Sequence, residues 1–100
     1  MKRVLVRYKV KADRAEENIT FIKNVFAELQ DKSPQGLRYA SFHLEDGVSF
    51  VHLASIETAD SKNPLSEIRA FKEFQENIKE RCEEPPVATE IHEIGAYGIF

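Results

Sequence analysis

Asp46-Gly47 is flanked by two runs rich in β-forming residues, Leu37 to Leu44 and Val48 to Ile56, and no other feature constrains the chain as strongly. A two-residue Asp-Gly connection favours a type I′ hairpin, in which both central residues take positive φ. With those two as the loop, Glu45 pairs with Val48 and the register follows: His43 faces Phe50, Ser41 faces His52, Tyr39 faces Ala54 and Leu37 faces Ile56. The opposite face of the hairpin carries Ala40, Phe42, Leu44, Val51 and Leu53. Both faces are substantially apolar, so both sides of this hairpin need a cover.

The flanking segments supply one cover. Val4, Val6, Tyr8 and Val10 alternate with Leu5, Arg7 and Lys9, the period of a strand. Asp13, with Glu16 three residues on, reads as a capping box. Ala15, Ile19, Ile22, Phe26 and Leu29 then form one apolar stripe on a helix over about residues 14–32. Ser33-Pro34-Gln35-Gly36 ends it, because Pro34 disfavours helical geometry before it and Gly36 tolerates positive φ. After the hairpin, Asn63-Pro64 reads as an N-cap followed by proline at the first helical position. Leu65, Ile68, Phe71, Phe74, Ile78 and Cys82 give a second stripe, a helix over about residues 64–82 that Glu83-Glu84-Pro85-Pro86 breaks. Val87 to Ile94 forms the last strand.

The order β-α-β-β-α-β is α+β and ferredoxin-like: a four-stranded antiparallel sheet with two helices on one face. Residues 1–100 form one domain, since the length leaves room for no more. Two helices hide one sheet face. The other leaves a patch of roughly several hundred Å² of apolar surface, more than a soluble monomer usually exposes. Sheet-to-sheet homodimerisation is the simplest remedy. The apolar tail Ala96 to Phe100 is either a frayed end or a segment that crosses to the other subunit and buries Tyr97 and Phe100 there.

Charge and cysteine content narrow the setting. Fourteen basic against seventeen acidic residues give a net charge of −3, which opposes a phosphate-neutralising surface, so no nucleic-acid partner is expected. The run Lys2, Arg3, Arg7, Lys9 and Lys11 reads as a solvated strand end, with Tyr8 the one aromatic beside it. The single Cys82 excludes an internal disulfide and suits a reducing compartment. The opening apolar run is too short for a secretory leader or a membrane span, which points to a cytoplasmic protein with no membrane partner.

The topology, together with Val10-Lys11-Ala12-Asp13, Gly36-Leu37-Arg38-Tyr39 and Phe50-Val51-His52-Leu53, resembles the antibiotic biosynthesis monooxygenase family, a branch of the dimeric α/β-barrel proteins. The likeness spans almost the whole chain, including a Gly-X-X-Tyr opening of strand two, a Phe-rich second helix and Pro85-Pro86 before strand four. It implies a homodimer whose sheets face each other, each subunit keeping a small pocket between its sheet and its helices. Departures bear on activity. Members often end strand three with Glu-X-Trp, where this chain has Ala54-Ser55-Ile56 and no Trp at all. Haem-degrading relatives carry an Asn on strand one, a Trp on strand three and a His on the second helix. Val6 and Ile56 occupy the first two places here and the helix has no His, so haem degradation is not expected.

If the helices cover the face bearing Val6, Tyr8, Tyr39, Ser41, His52 and Ile56, that face is more polar than a packed core needs. A mid-strand imidazole with an ordinary pKa near 6.5 suits a base that takes a proton from a phenol or enol. Tyr8 or Tyr39 then donates to the oxyanion formed. The expectation is a cofactor-independent oxygenase or isomerase with His52, Tyr8 and Tyr39 catalytic. Val6, Ser41, His43, Ile56, Phe71 and Phe74 would hold a small aromatic or apolar substrate. The alternatives are a core histidine satisfied by Ser41 or a water in a non-catalytic sensor, storage or stress protein, and a ferredoxin-like regulatory or nucleic-acid-binding domain. No cofactor is expected, and no metal either, because His92 lies at the opposite sheet edge from His43 and convergence of the three histidines would need a partner subunit. Cys82 completes an apolar stripe and is a weak candidate nucleophile.

Overall fold

The computed structural model describes all 100 residues. Strand β1 (Lys2–Val10) leads through a single 3-10 turn at Ala12–Arg14 into helix α1 (Ala15–Lys32), and β2 (Leu37–His43) and β3 (Ser49–Ile56) form the hairpin. A second 3-10 turn (Pro64–Glu67) precedes α2 (Arg69–Gln75) and the one-turn α3 (Ile78–Arg81), and β4 (Cys82–Ile91) closes the sheet. All pairings are antiparallel in the order β2-β3-β1-β4, the ferredoxin-like arrangement, with the helices on one face. The core lies between that face and the helices, built on Tyr8, Val10, Val25, Phe50, Leu65, Ile68 and Phe74. No helix is long and apolar enough to cross a membrane.

The hairpin register is the expected one, with Leu37, Tyr39, Ser41 and His43 opposite Ile56, Ala54, His52 and Phe50. The turn differs. Leu44 N donates to Ser49 O, and Gly47 N to Leu44 O, so four residues rather than two connect the strands. Only Gly47 takes positive φ. Asp46 stays out of the left-handed region because its carboxylate there accepts from Val48 N (3.0 Å), Ser49 N (2.8 Å) and Ser49 Oγ (2.5 Å). These bonds hold its carboxyl down at about 2. Two-residue and four-residue loops centred on the same point give the same ladder, which is why the register survives.

Three further expectations are corrected. Asp13 does not cap α1, because the 3-10 turn places it inside a helical turn, and Arg14 instead holds Glu17 at 2.8 and 2.9 Å. The second helix is interrupted: Asn63 caps the 3-10 turn through Leu65 N (3.0 Å), but Ile68 is extended and buried. Glu28, from α1, accepts the N–H groups of Arg69 (3.0 Å) and Ala70 (2.8 Å) and so starts α2 afresh. A left-handed Asn77 then ends it. The last strand begins at Cys82 rather than Val87 and contains Pro85 and Pro86. It tolerates them because β4 is an edge, and its pairing slips between Arg7↔Val87, Lys9↔Glu84 and Val10↔Cys82, the mark of bulges.

On the uncovered face, pairing sets Phe42, Val51, Arg7 and Val87 in one row and Ala40, Leu53, Leu5 and Thr89 in the next. Phe42 is 55% and Val87 62% exposed. The tail folds back over part of this face of its own sheet: the Phe100 ring lies 4.0 Å from the Arg3 guanidinium, and Arg3 also pairs with Glu93. Ile99 and Phe100 flank Ala40, Phe42 and Leu53, whereas Tyr97 is fully exposed.

Gly36 (φ +80) and Gly47 (φ +81) separate two costs of a side chain. A Cβ at Gly47 meets nothing, so Gly47→Ala should cost about 1–2 kcal/mol for the left-handed backbone alone. At Gly36 the Cβ would meet the Thr58 side chain at 2.7 Å and its backbone at 3.1 Å, so Gly36→Ala should cost clearly more in urea denaturation.

Candidate functional site

Strand alternation places His52 at the middle of the covered face, with Ser41 on one side and Val6 on the other. The ring is 3% exposed. Its Nε2 lies 2.7 Å from the Tyr8 hydroxyl, and its Nδ1 lies 2.5 Å from Ser41 Oγ and 3.2 Å from the Tyr39 hydroxyl. Tyr8 also accepts from Asn18 Nδ2 (2.9 Å), and Asn18 Oδ1 accepts from Arg81 Nε (3.3 Å). Six polar side chains from five elements therefore form one hydrogen-bonded group, framed by rings. Tyr8 and Tyr39 stack on His52 at 5.3 and 5.9 Å, and Phe74 meets it edge-on at 5.5 Å.

Beside this group lies a cavity of about 460 Å³. His52, Tyr8, Tyr39, Val6, Ile56, Phe71 and Phe74 all line it, with Val4, Leu65 and Ile78. Gln75 and Lys79 are exposed and mark its mouth. Ser41 does not line it but bonds His52 from behind. His43 is not part of it: two residues along β2 from Ser41, it is exposed and stacks on Phe50 at 4.6 Å. No three His, Cys, Asp or Glu side chains converge as a metal site. Burial pushes the Cys82 thiol up, with the nearby Arg81 opposing, which leaves it a poor nucleophile.

Two members of the group were not anticipated. Asn18 was legible: it interrupts the apolar stripe of α1 three residues after Ala15 and four before Ile22, and it is fully buried. Arg81 was not, because the break at Asn77 resets the helical phase and turns it inward. Burial lowers the tendency of Arg81 to hold its proton and raises the Tyr8 hydroxyl. Burial also pushes Tyr39 up to about 12, against a hydrogen bond with Ser41 that works the other way.

His52 departs furthest from expectation. Loss of water around the ring lowers its pKa to about 4, so at neutral pH it is uncharged and a weaker base than a free imidazole. The unfolded chain takes up a proton below about pH 6.5 that native His52 declines until about 4, so stability falls as pH drops through that window. The loss should reach roughly 2 kcal/mol by about pH 5, before the depressed carboxylates of Glu28 and Asp46 begin to contribute. Urea denaturation across this range should show that slope in the native chain and not in His52→Asn; a flat profile would contradict it.

No protein-family model matches the sequence, and no curated protein matches it either. Solved structures do. A Nitrosomonas europaea protein assigned to the antibiotic biosynthesis monooxygenases superposes with a TM-score of 0.75 at 16% identity, over 95% of this chain and 100% of that one. A Caulobacter crescentus protein of the same assignment gives 0.71 at 18%, over 94% and 90%. SnoaB from Streptomyces nogalater, described as a cofactor-independent oxygenase, gives 0.69 at 12%, over 97% and 96%. From end to end, this chain has the fold of the antibiotic biosynthesis monooxygenases.

Proposed function

We propose that this chain is a homodimeric small-molecule-binding protein of the antibiotic biosynthesis monooxygenase type, acting in the cytoplasm on a compact aromatic substrate. The observation that carries this reading is the cavity of about 460 Å³, lined mostly by apolar side chains, with His52 and two tyrosines among them. A well-formed apolar cavity with a few convergent polar groups is the ordinary form of a ligand site.

The chemistry that suits such a site is cofactor-independent oxygenation, and the fold likeness to SnoaB favours it over isomerisation. In that reaction a phenol and O₂ give a quinone and water, the substrate supplying all the electrons. A tyrosine hydroxyl donating into the cavity lowers the energy of the substrate's ionised oxygen, and the dry cavity strengthens that interaction. His52, uncharged near neutral pH, holds the hydroxyls in place and is not the strong base that its residue type suggests.

Dimerisation uses the uncovered sheet face. The tail lies against Arg3, Ala40, Phe42 and Leu53, and Val51, Leu5 and Val87, outside that contact, are left for a second copy. Sedimentation equilibrium at micromolar concentration should return twice 11.5 kDa, and Leu5→Glu should return the single mass. Removing residues 96–100 should weaken the dimer only if the tail exchanges between subunits.

1-Naphthol is a suitable probe of the cavity. Titration calorimetry should show it binding, with Ile56→Trp, which fills the cavity, abolishing the signal. An oxygen electrode should record uptake without added metal or flavin, reduced at least about tenfold in Tyr39→Phe. Binding with no uptake would favour the alternative of a non-catalytic sensor. No binding by any small aromatic would overturn the reading.

A further inference from the structure

Arg81 is the one formally charged side chain sealed inside the molecule, at 1% exposure, and no carboxylate pairs with it. Its terminal nitrogens donate to the carbonyls of Glu76 (3.1 Å) and Phe74 (2.6 Å), and its Nε donates to Asn18 Oδ1. The rings of Phe21 and Phe74 lie 4.5 and 5.5 Å from its Cζ. A guanidinium has donors only, and this fixes which way the Asn18 amide lies.

The Asn18 atom facing Arg81 must be the carbonyl oxygen, so the amide nitrogen faces Tyr8 and donates to its hydroxyl. The Tyr8 hydrogen then goes to the remaining neighbour, His52 Nε2. Nε2 must be bare to accept it, so the uncharged ring carries its proton on Nδ1 and donates to Ser41 Oγ. The Tyr39 hydroxyl meets an Nδ1 that is already protonated, so its own hydrogen finds no acceptor there. Tyr39 is half-buried and lines the cavity.

We propose that Arg81 and Asn18 are positioning residues that orient this chain so that it ends in a Tyr39 hydroxyl donating into the cavity, which selects ligands presenting an oxygen acceptor. The acceptor is a ketone or quinone carbonyl, or the ionised oxygen of a phenol. Tyr8, the other candidate donor, has its hydrogen committed to His52. The inference rests on the ligand-binding reading above only for what occupies the cavity; the direction of the chain stands on the protein alone.

Long-range ¹H–¹⁵N NMR of the imidazole reads that direction without a ligand. The native chain should show His52 protonated on Nδ1 and bare on Nε2. In Asn18→Asp, Tyr8 should turn its hydrogen to the new carboxylate, and His52 should switch to the Nε2-protonated form. Tyr39→Phe, at the far end of the chain, should leave the tautomer unchanged. A native Nε2-protonated ring would overturn the proposal even if Asn18→Asp fails to fold. The ligand arm compares 1-tetralone with tetralin, which differ by the carbonyl oxygen. The native protein should prefer the ketone about five- to tenfold, and Tyr39→Phe should lose that preference. An Nδ1-protonated His52 with equal affinity for both would overturn the outward donor. Failure of both probes to bind, with the tautomer as expected, would instead strike the ligand-binding reading and the selection drawn from it.

Discussion

A neutral imidazole at the centre of the covered sheet face is the constraint on which the rest of this structure depends. A buried polar group left without a partner costs about 1–3 kcal/mol, and here four buried polar side chains lie together with two half-buried ones. They satisfy one another, and no buried side-chain nitrogen or oxygen lacks a hydrogen-bond partner. The solution draws Tyr8 from β1, Tyr39 and Ser41 from β2, His52 from β3, Asn18 from α1 and Arg81 from α3. A one-residue slip of any strand would turn its contribution to the other face and leave the remaining groups unpaired. The polar group therefore specifies register as well as marking the site.

The same burial sets the chemistry. Loss of water favours the uncharged form of His52 and of both tyrosines, so at neutral pH the group works through oriented hydrogen bonds. Arg81 supplies the one fixed charge, two hydrogen bonds from His52's nearest donor, and its carbonyl ligands and flanking rings take the place of a counter-ion. Such a low-dielectric site with preset donors is suited to stabilising charge that develops on a ligand rather than charge it already holds.

Much of the fold could be read from the sequence because its signals are local. Period two in β1 and in the hairpin gave the faces and the register, and both were observed. What was missed is tertiary. The break at Ile68 depends on Glu28, a helix away, reaching the N–H groups of Arg69 and Ala70. Pro85 and Pro86 look like a terminator in sequence and become bulges only because β4 sits at a sheet edge. The cavity residues Val6, Tyr8, Tyr39, His52 and Ile56 follow from strand alternation, whereas His43 shares that alternation and lies too far along β2 to reach the cavity.

The proposed seat of a ligand is the space between sheet and helices, and not the uncovered sheet face. Methyl NMR with 1-tetralone tests it most directly. Shifts should appear at Val4, Val6, Ile56, Leu65 and Ile78, with Leu5, Val51 and Leu53 unmoved. Shifts confined to the second group would contradict it.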